Sequence, residues 1–373
     1  MQTFRPDTPA QLAEALATAA GAGDSIRLGG AFSKDAMAGP LADAAIIIST
    51  TGLTRVLQYE PGDLTVSVEA GLKMADLRRL LEADGLMLPL DPPFSEQATV
   101  GGVVAANTCG PRRRLYGTTR DFVIGLRFAS LDGKLADSGG MVVKNVAGLD
   151  MAKLMIGSFG TLAALCSVNF KLIPLSLRTR TFLQPFDSLA EAVAARDAVI
   201  KSVLQPAAVD LLNPRAAPRL NLQGYALLVQ AAGNPSVLDR YVRELPSATV
   251  LEGETERQLW RAVQEFTPDF LRDRPETTVL RISSRISELQ AVMEALPGPA
   301  LARAASGVVY AYLSDPAQAP QGRKFVIEFA PQSVRQSSEL WPQPGNDLDL
   351  MKKIKQMFDP KHLLNQGRLY GRI

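Results

Sequence analysis

Thr99-Val-Gly-Gly-Val-Val-Ala-Ala-Asn-Thr-Cys-Gly110 and Gly157-Ser-Phe-Gly-Thr161, with Leu28-Gly-Gly-Ala-Phe-Ser33 upstream, are three glycine-rich stretches in the first half of a 373-residue chain. Glycine admits φ > 0 and lets a ligand approach the main chain closely. Clustered N–H groups form concave anion sites. One such loop suits a phosphate; three lining one groove suit a ligand as large as a dinucleotide. Any one pair alone is an ordinary tight turn. It is their conjunction that points to a ligand.

Strands and helices interleave around these stretches. Thr8-Pro-Ala-Gln11 supplies an N-cap hydroxyl and a proline at the first helical position, and Leu12, Leu16 and Ala19 follow as an apolar stripe that ends at Gly21-Ala-Gly23. Strands are expected at 25–28, 44–49, 65–69 and 122–129, and Asp132-Gly133 marks a hairpin. Past Pro174 the rhythm changes. Ser188-Leu-Ala-Glu191 opens a helix. Further strands fit 207–212, 225–231, 278–283, 307–313 and 324–329, with helices at 237–244, 254–266 and 286–296. Two stretches, 315–323 and 331–347, read as loops, and a last helix starts near Leu348. The expected class is α+β, with domains at 1–175 and 176–335 and a C-terminal segment, 336–373, returning to the first.

Composition excludes several functions. Forty Lys and Arg against 38 Asp and Glu leave a net charge of +2, too little for a protein whose main partner is nucleic acid. Cys109 and Cys166 give no disulfide framework and fit a reducing, cytoplasmic setting, although a cysteine-poor secreted protein would look similar. A single histidine, His362, and the lack of any Cys-x-x-Cys argue against a histidine-based metal centre, a zinc site or an iron–sulfur cluster in this chain. No Asp/Glu clustering suggests a carboxylate metal site, which stays open. Met1-Gln-Thr-Phe-Arg-Pro6 lacks the charged-then-apolar pattern expected of a signal peptide. No run approaches the ~20 apolar residues of a membrane span, so a membrane is expected to be reached only through partners, peripherally. Gly-x-x-x-x-Gly-Lys-Ser/Thr, Gly-x-Gly-x-x-Gly and Gly-x-Ser-x-Gly are all missing, which removes P-loop, Rossmann and serine-hydrolase sites.

Leu86-Met-Leu-Pro-Leu-Asp-Pro-Pro93 precedes the longest glycine stretch, and Arg112-Arg-Arg-Leu-Tyr-Gly-Thr-Thr-Arg-Asp121 follows it. With these neighbours the pattern resembles the FAD-binding domain of the vanillyl-alcohol-oxidase, or p-cresol methylhydroxylase (PCMH), superfamily. More narrowly it resembles the FAD-binding subunits, called E, of bacterial glycolate oxidase. Gly139-Gly-Met-Val-Val-Lys-Asn-Val-Ala-Gly-Leu-Asp150 and Leu154-Met-Ile-Gly-Ser-Phe-Gly-Thr161 carry the same likeness. So does the closing Phe358-Asp-Pro…Asn365-Gln-Gly-Arg368, with Gln366 where proline is common.

The resemblance implies a PCMH-type FAD-binding domain of two subdomains, with an α+β cap. It gives Gly29, Gly30, Ala31, Phe32 and Ser33 the diphosphate. Thr99, Val100, Gly101, Gly102, Ala105, Ala106 and Asn107, with Pro92 ahead of them, fall beside the ribityl chain and isoalloxazine. Gly110, Gly117 and Asp121 continue that wall, and Gly157, Gly160, Thr161 and Leu162 hold the cofactor through the main chain. Arg112, with Arg113 and Arg114, is either a solvated face or a ligand for the diphosphate or the reduced flavin's N1. Lys144 and Asn145 are weaker candidates, and Arg281 and Arg285 could reach a substrate carboxylate. Ala31-Phe32 stands where many relatives tether the flavin through histidine, so dissociable FAD is expected rather than attachment through Cys109. The histidine cluster and metal of D-lactate-type relatives have no counterpart, and no catalytic residue is named.

The implied activity is oxidation of glycolate or another small 2-hydroxy acid, with electrons passing to an iron–sulfur subunit beside a second FAD-binding subunit. The alternatives are an FAD relay subunit that abstracts no proton, and a stand-alone reductase similar to UDP-N-acetylenolpyruvoylglucosamine reductase. Cap length and closing motif weigh against the last.

Overall fold

The computed structural model describes residues 2–40, 42–142, 149–342, 345 and 347–373. Backbone contacts divide the chain into two compact units: Met1–Cys109, Gly117–Leu175 and Gln343–Ile373 form one, Gly110–Tyr116 and Ser176–Pro342 the other.

In the first unit, β1 (Gln2–Phe4) leads to α1 (Pro9–Ala22), where the Thr8 hydroxyl accepts from the Gln11 N–H and Gly23 ends the helix at φ 78. β2 (Ile26–Gly29) and β3 (Ile46–Ser49) follow, making a parallel sheet in the order β1-β3-β2. Its outer strand, β2, delivers the first glycine loop. β4 (Val56–Glu60), β5 (Thr65–Glu69), α2 (Met74–Ala83), β6 (Leu86–Met87) and α3 (Val100–Ala106) come next. The helical turn α4 (Arg113–Tyr116) belongs with the second unit, where the Arg114 guanidinium donates to Pro206 O at 3.5 Å. α5 (Thr119–Phe122), β7 (Val123–Ala129), β8 (Leu135–Gly139), α6 (Ala152–Met155), β9 (Ala164–Lys171) and β10 (Ile173–Pro174) complete this part. An antiparallel sheet runs β4-β5-β9-β7-β8, and β6 pairs with β10. The apolar face of α1 (Leu12, Leu16) meets Ile26 and Ile48 of the parallel sheet and Cys166 of β9 in one buried core.

The second unit holds β11 (Thr179–Phe186), α7 (Leu189–Lys201), β12 (Ala208–Leu212), β13 (Tyr225–Ala232), α8 (Pro235–Glu244), β14 (Thr249–Leu251), α9 (Gly253–Gln264) and α10 (Phe266–Asp273). β15 (Thr278–Ser283), α11 (Leu289–Glu294), β16 (Ala300–Arg303), β17 (Val308–Leu313), β18 (Phe325–Phe329) and α12 (Gln332–Ser337) follow. Eight strands form one antiparallel sheet in the order β14-β11-β13-β12-β16-β17-β15-β18.

Two stretches read as loops are helical. The 99–110 glycine stretch holds α3, because Thr99 caps it by accepting from the Gly102 N–H at 3.2 Å. Its small residues serve packing: a Cβ on Gly101 would stand 2.8 Å from the Ala70 Cβ. The 331–347 stretch holds α12, which starts after Pro331. The single helix expected over 254–266 stops at Gln264, and α10 begins at Phe266.

The chain ends in the first unit with α13 (Asp347–Phe358) and a turn-rich tail. The one buried residue of α13 is Lys355. Its ammonium donates to Asp359 Oδ2 at 2.6 Å, Thr161 O at 2.8 Å and Leu364 O at 2.9 Å, so all three protons are spent. The same Asp359 carboxylate accepts from the Leu363 and Leu364 N–H groups, which bends the chain back towards β2. Burial pulls the Lys355 pKa down, opposed by Asp359. Replacing Lys355 by Met leaves a buried carboxylate without its cation, and should lower the urea-unfolding free energy by about 3 kcal/mol, read as a lower midpoint at unchanged slope.

Candidate functional site

The glycine stretches converge on an open cavity in the first unit, with about 790 Å³ of empty space. One wall is the loop after β2, Gly29 to Asp35, and a second is α3, through Thr99, Gly101, Gly102, Ala105 and Ala106. Phe159 and Gly160 close a third side, with Ala163 and Leu165 beyond them. Thr50, Ala70 and Arg368 complete the lining. The loop presses directly on the capping side chain of the helix: a Cβ on Gly30 would overlap the Thr99 Oγ1 atom.

Most carbonyls of the first loop are engaged by the protein, while its amides are open. Gly29 O accepts from Thr50 Oγ1 at 3.4 Å and Gly30 O from Ser49 Oγ at 3.0 Å. Phe32 O accepts from the Asp35 N–H at 3.2 Å. Lys34 O and Asp35 O accept from the Arg368 guanidinium at 2.6 and 2.9 Å. The N–H groups of Gly30, Ala31, Phe32 and Ser33, and that of Gly160, donate to no acceptor among the described residues. A run of open N–H groups is an anion nest. Phe32 and Phe159 both sit in the left-handed region (φ 53), a strained choice for phenylalanine that bends each loop at the cavity. The Arg27 guanidinium lies over the Phe32 ring, 5.0 Å from its centroid, and pairs with Asp35.

Other expected site residues fall elsewhere. Val100 is buried within α3, and Asn107 ends that helix in the left-handed region. Gly157 donates to Val104 O, and the Thr161 hydroxyl donates to Ser158 O at 2.7 Å. Neither they, nor the buried Leu162 and Pro92, line the cavity. Asp121 caps α5: its Oδ2 accepts from Thr118 N at 2.7 Å and Thr118 Oγ1 at 3.0 Å. That N–H contact holds its carboxyl below the usual range. Gly117 packs against this carboxylate instead of extending a wall. Gly110 and Arg112 belong to the second unit, and Lys144 and Asn145 lie outside the described residues. Cys109 Sγ stands 3.6 Å from Thr119 Oγ1, and His362 bonds Gln356 Oε1 at 2.9 Å; neither lines the cavity.

Lys34, Asp35, Thr50, Phe159 and Arg368 were not singled out from the sequence. Phe159 and Arg368 sat inside quoted motifs; nothing local marked the others. Among the described residues no group of three His, Cys, Asp or Glu side chains is placed to hold a metal, and no helix is long and apolar enough to cross a membrane.

The second unit carries a polar row across one sheet face. Asp210 lies opposite Arg303, and Tyr310 opposite Arg281. Arg303 pairs with Asp210, and Arg281 with Glu328 at 3.2 Å. Burial pushes the Tyr310 phenol up to about 12 and raises Glu328 as well. Arg285 instead opens the turn at Ile286–Glu288, its N–H donating to Glu288 Oε2.

The open amides fit a diphosphate, and the glycine and alanine wall fits a flat ring system laid against bare main chain. A family model for an FAD binding domain matches residues 2–139, and one for the C-terminal domain of FAD linked oxidases matches 343–369. The chain is 30% identical to glycolate oxidase subunit GlcE of Escherichia coli (strain K12) over 85% of each chain. It is 24% identical to glycolate oxidase subunit GlcD of Bacillus subtilis (strain 168), over 88% of this chain and 80% of that one. The fold matches p-cresol methylhydroxylase with a TM-score of 0.77 at 13% identity, covering 99% of this chain and 88% of that structure. The chain is therefore an FAD-binding protein of the α+β, PCMH-type fold, and it belongs to the family of FAD-linked oxidoreductases that includes glycolate oxidase subunit GlcE.

Proposed function

We propose that this chain is the FAD-bearing, GlcE-type component of a glycolate oxidase complex, acting on glycolate or a close 2-hydroxy acid. Its partners would be a second FAD-binding subunit and an iron–sulfur subunit, met in the cytoplasm or at the inner membrane through those partners. Likeness to GlcE along 85% of the chain carries this reading.

Oxidising glycolate to glyoxylate releases two electrons and two protons; FAD, when bound, accepts the electrons. The chain's own residues bind and orient. The open amides of Gly30–Ser33 and of Gly160 would take the diphosphate, and Gly101, Gly102, Ala105 and Ala106 would leave a flat wall for the rings. No cysteine or histidine lines the cavity among the described residues, which supports non-covalent FAD. A second reading, an FAD relay subunit that leaves the hydroxyl proton to a partner, is favoured by His362, whose ring is engaged with Gln356 in the tail. A base at the hydroxyl ordinarily contributes ~100-fold or more.

Anaerobic mixing of the FAD-loaded chain with glycolate and with D-lactate separates the two. Bleaching of the flavin band by the isolated chain is expected if it oxidises substrate itself. Bleaching only after partner subunits are added would establish the relay, and none in either case would overturn both. A separate check concerns the cradle. Gly30→Val drives a side chain into Thr99 and should weaken FAD binding about ten- to a hundredfold, measured as FAD retained per folded chain.

A further inference from the structure

The closing motif is a structural member of the parallel sheet. Ile26 N donates to Leu363 O at 2.7 Å, and Asn365 N donates to Ile26 O at 2.9 Å, so residues 363–365 run along the free edge of β2. Asn365, itself left-handed (φ 48), then continues that edge with its side chain. Its Oδ1 accepts from Leu28 N at 2.7 Å. Its Nδ2 donates to Leu28 O at 3.0 Å and Phe159 O at 2.9 Å. One buried amide thus ties the root of the first loop to the third. Three residues on, Arg368 is fixed in its turn: its N–H donates to Asn365 O, and its carbonyl accepts from Gly39 N, both at 3.0 Å.

The guanidinium of Arg368 therefore arrives at Lys34 O and Asp35 O from a rigid base. A peptide loop can offer a row of N–H groups to an anion only if the carbonyls that alternate with them are bound elsewhere, because an unbonded oxygen turned inward repels negative charge. Ser49 and Thr50 hydroxyls do this at Gly30 O and Gly29 O, and the Asp35 N–H does it at Phe32 O. Arg368 anchors the end of the loop at Lys34 O, shared with the Met37 N–H, and at Asp35 O.

We propose that Arg368 is a positioning residue for cofactor capture: by holding the carbonyls of Lys34 and Asp35 on the C-terminal turn, it leaves the amides of Gly30–Ser33 open to the FAD diphosphate. This rests on the FAD reading of the cavity and is independent of which hydroxy acid is oxidised. Arg368 acts through the loop, so its loss disturbs the phosphates rather than the ring system.

The test compares wild-type apoprotein with Arg368→Ala, Arg368→Lys and the exposed tail control Lys361→Ala. FAD affinity is read by fluorescence titration, apoprotein stability by urea, and the diphosphate environment by ³¹P NMR at saturating FAD. Arg368→Ala should bind FAD about ten- to a hundredfold more weakly, at an apoprotein urea midpoint close to wild type. Its two phosphorus resonances should move towards those of free FAD, while Lys361→Ala matches wild type. Lysine reaches one carbonyl where arginine reaches two, so Arg368→Lys should fall between, and it decides the matter if the alanine variant does not fold. Wild-type affinity and wild-type ³¹P positions in the folded variant would overturn the proposal. So would an affinity loss that merely tracks a drop in apoprotein stability. Failure of the wild type itself to bind FAD would sink the reading of the cavity along with it.

Discussion

A backbone that offers its amides to a ligand has to dispose of its carbonyls, and this protein does so with side chains drawn from distant parts of the sequence. Ser49 and Thr50 come from the end of the neighbouring strand, and Arg368 comes from more than 330 residues away. The positive φ at Phe32 supplies the bend that such a one-sided loop needs. Helix α3 has a different task. Its first-turn amides are already engaged with Ala70 O and Thr99 Oγ1, so its glycines contribute clearance and not donors.

The polar clasp at the C-terminus is equally economical. Lys355 and Asp359 are both buried, and each is satisfied several times over. Removing one member of such a pair is costly even where the intact pair adds little net stability. Its yield is geometric: the chain is forced to turn at 359–364, Leu364 is delivered into the core beside Leu12 and Leu16, and Asn365 is set on the open edge of β2. Packing and site geometry are thus fixed by the same few residues.

Much of this was legible in the order of residues. The Thr8 cap, the strands at 65–69 and 278–283, and the hairpin at Asp132-Gly133 carry local signals that tertiary context did not overturn. The glycine stretches named the cavity's walls, yet not their conformation. A capped run of small residues reads as a loop until Ala70 is known to press against it. The long strand β11 and the short strands β4, β14 and β16 went unannounced. Arg368 and Asn365 were beyond local reading for another reason: their partners are main-chain groups of distant loops, which leave no mark in sequence. Asp121 shows the converse, a residue placed in a wall by its neighbours in the chain and found capping a helical turn.

The cavity is stitched from segments far apart in the chain, since β2 and its loop are held by residues 363–368, some 330 positions later. Contacts of such long separation cost loop-closure entropy before they are rewarded, so the cavity proposed for FAD is complete only once 363–368 have docked on β2. On the proposed reading, a tail that loosens from β2 would loosen the cofactor with it.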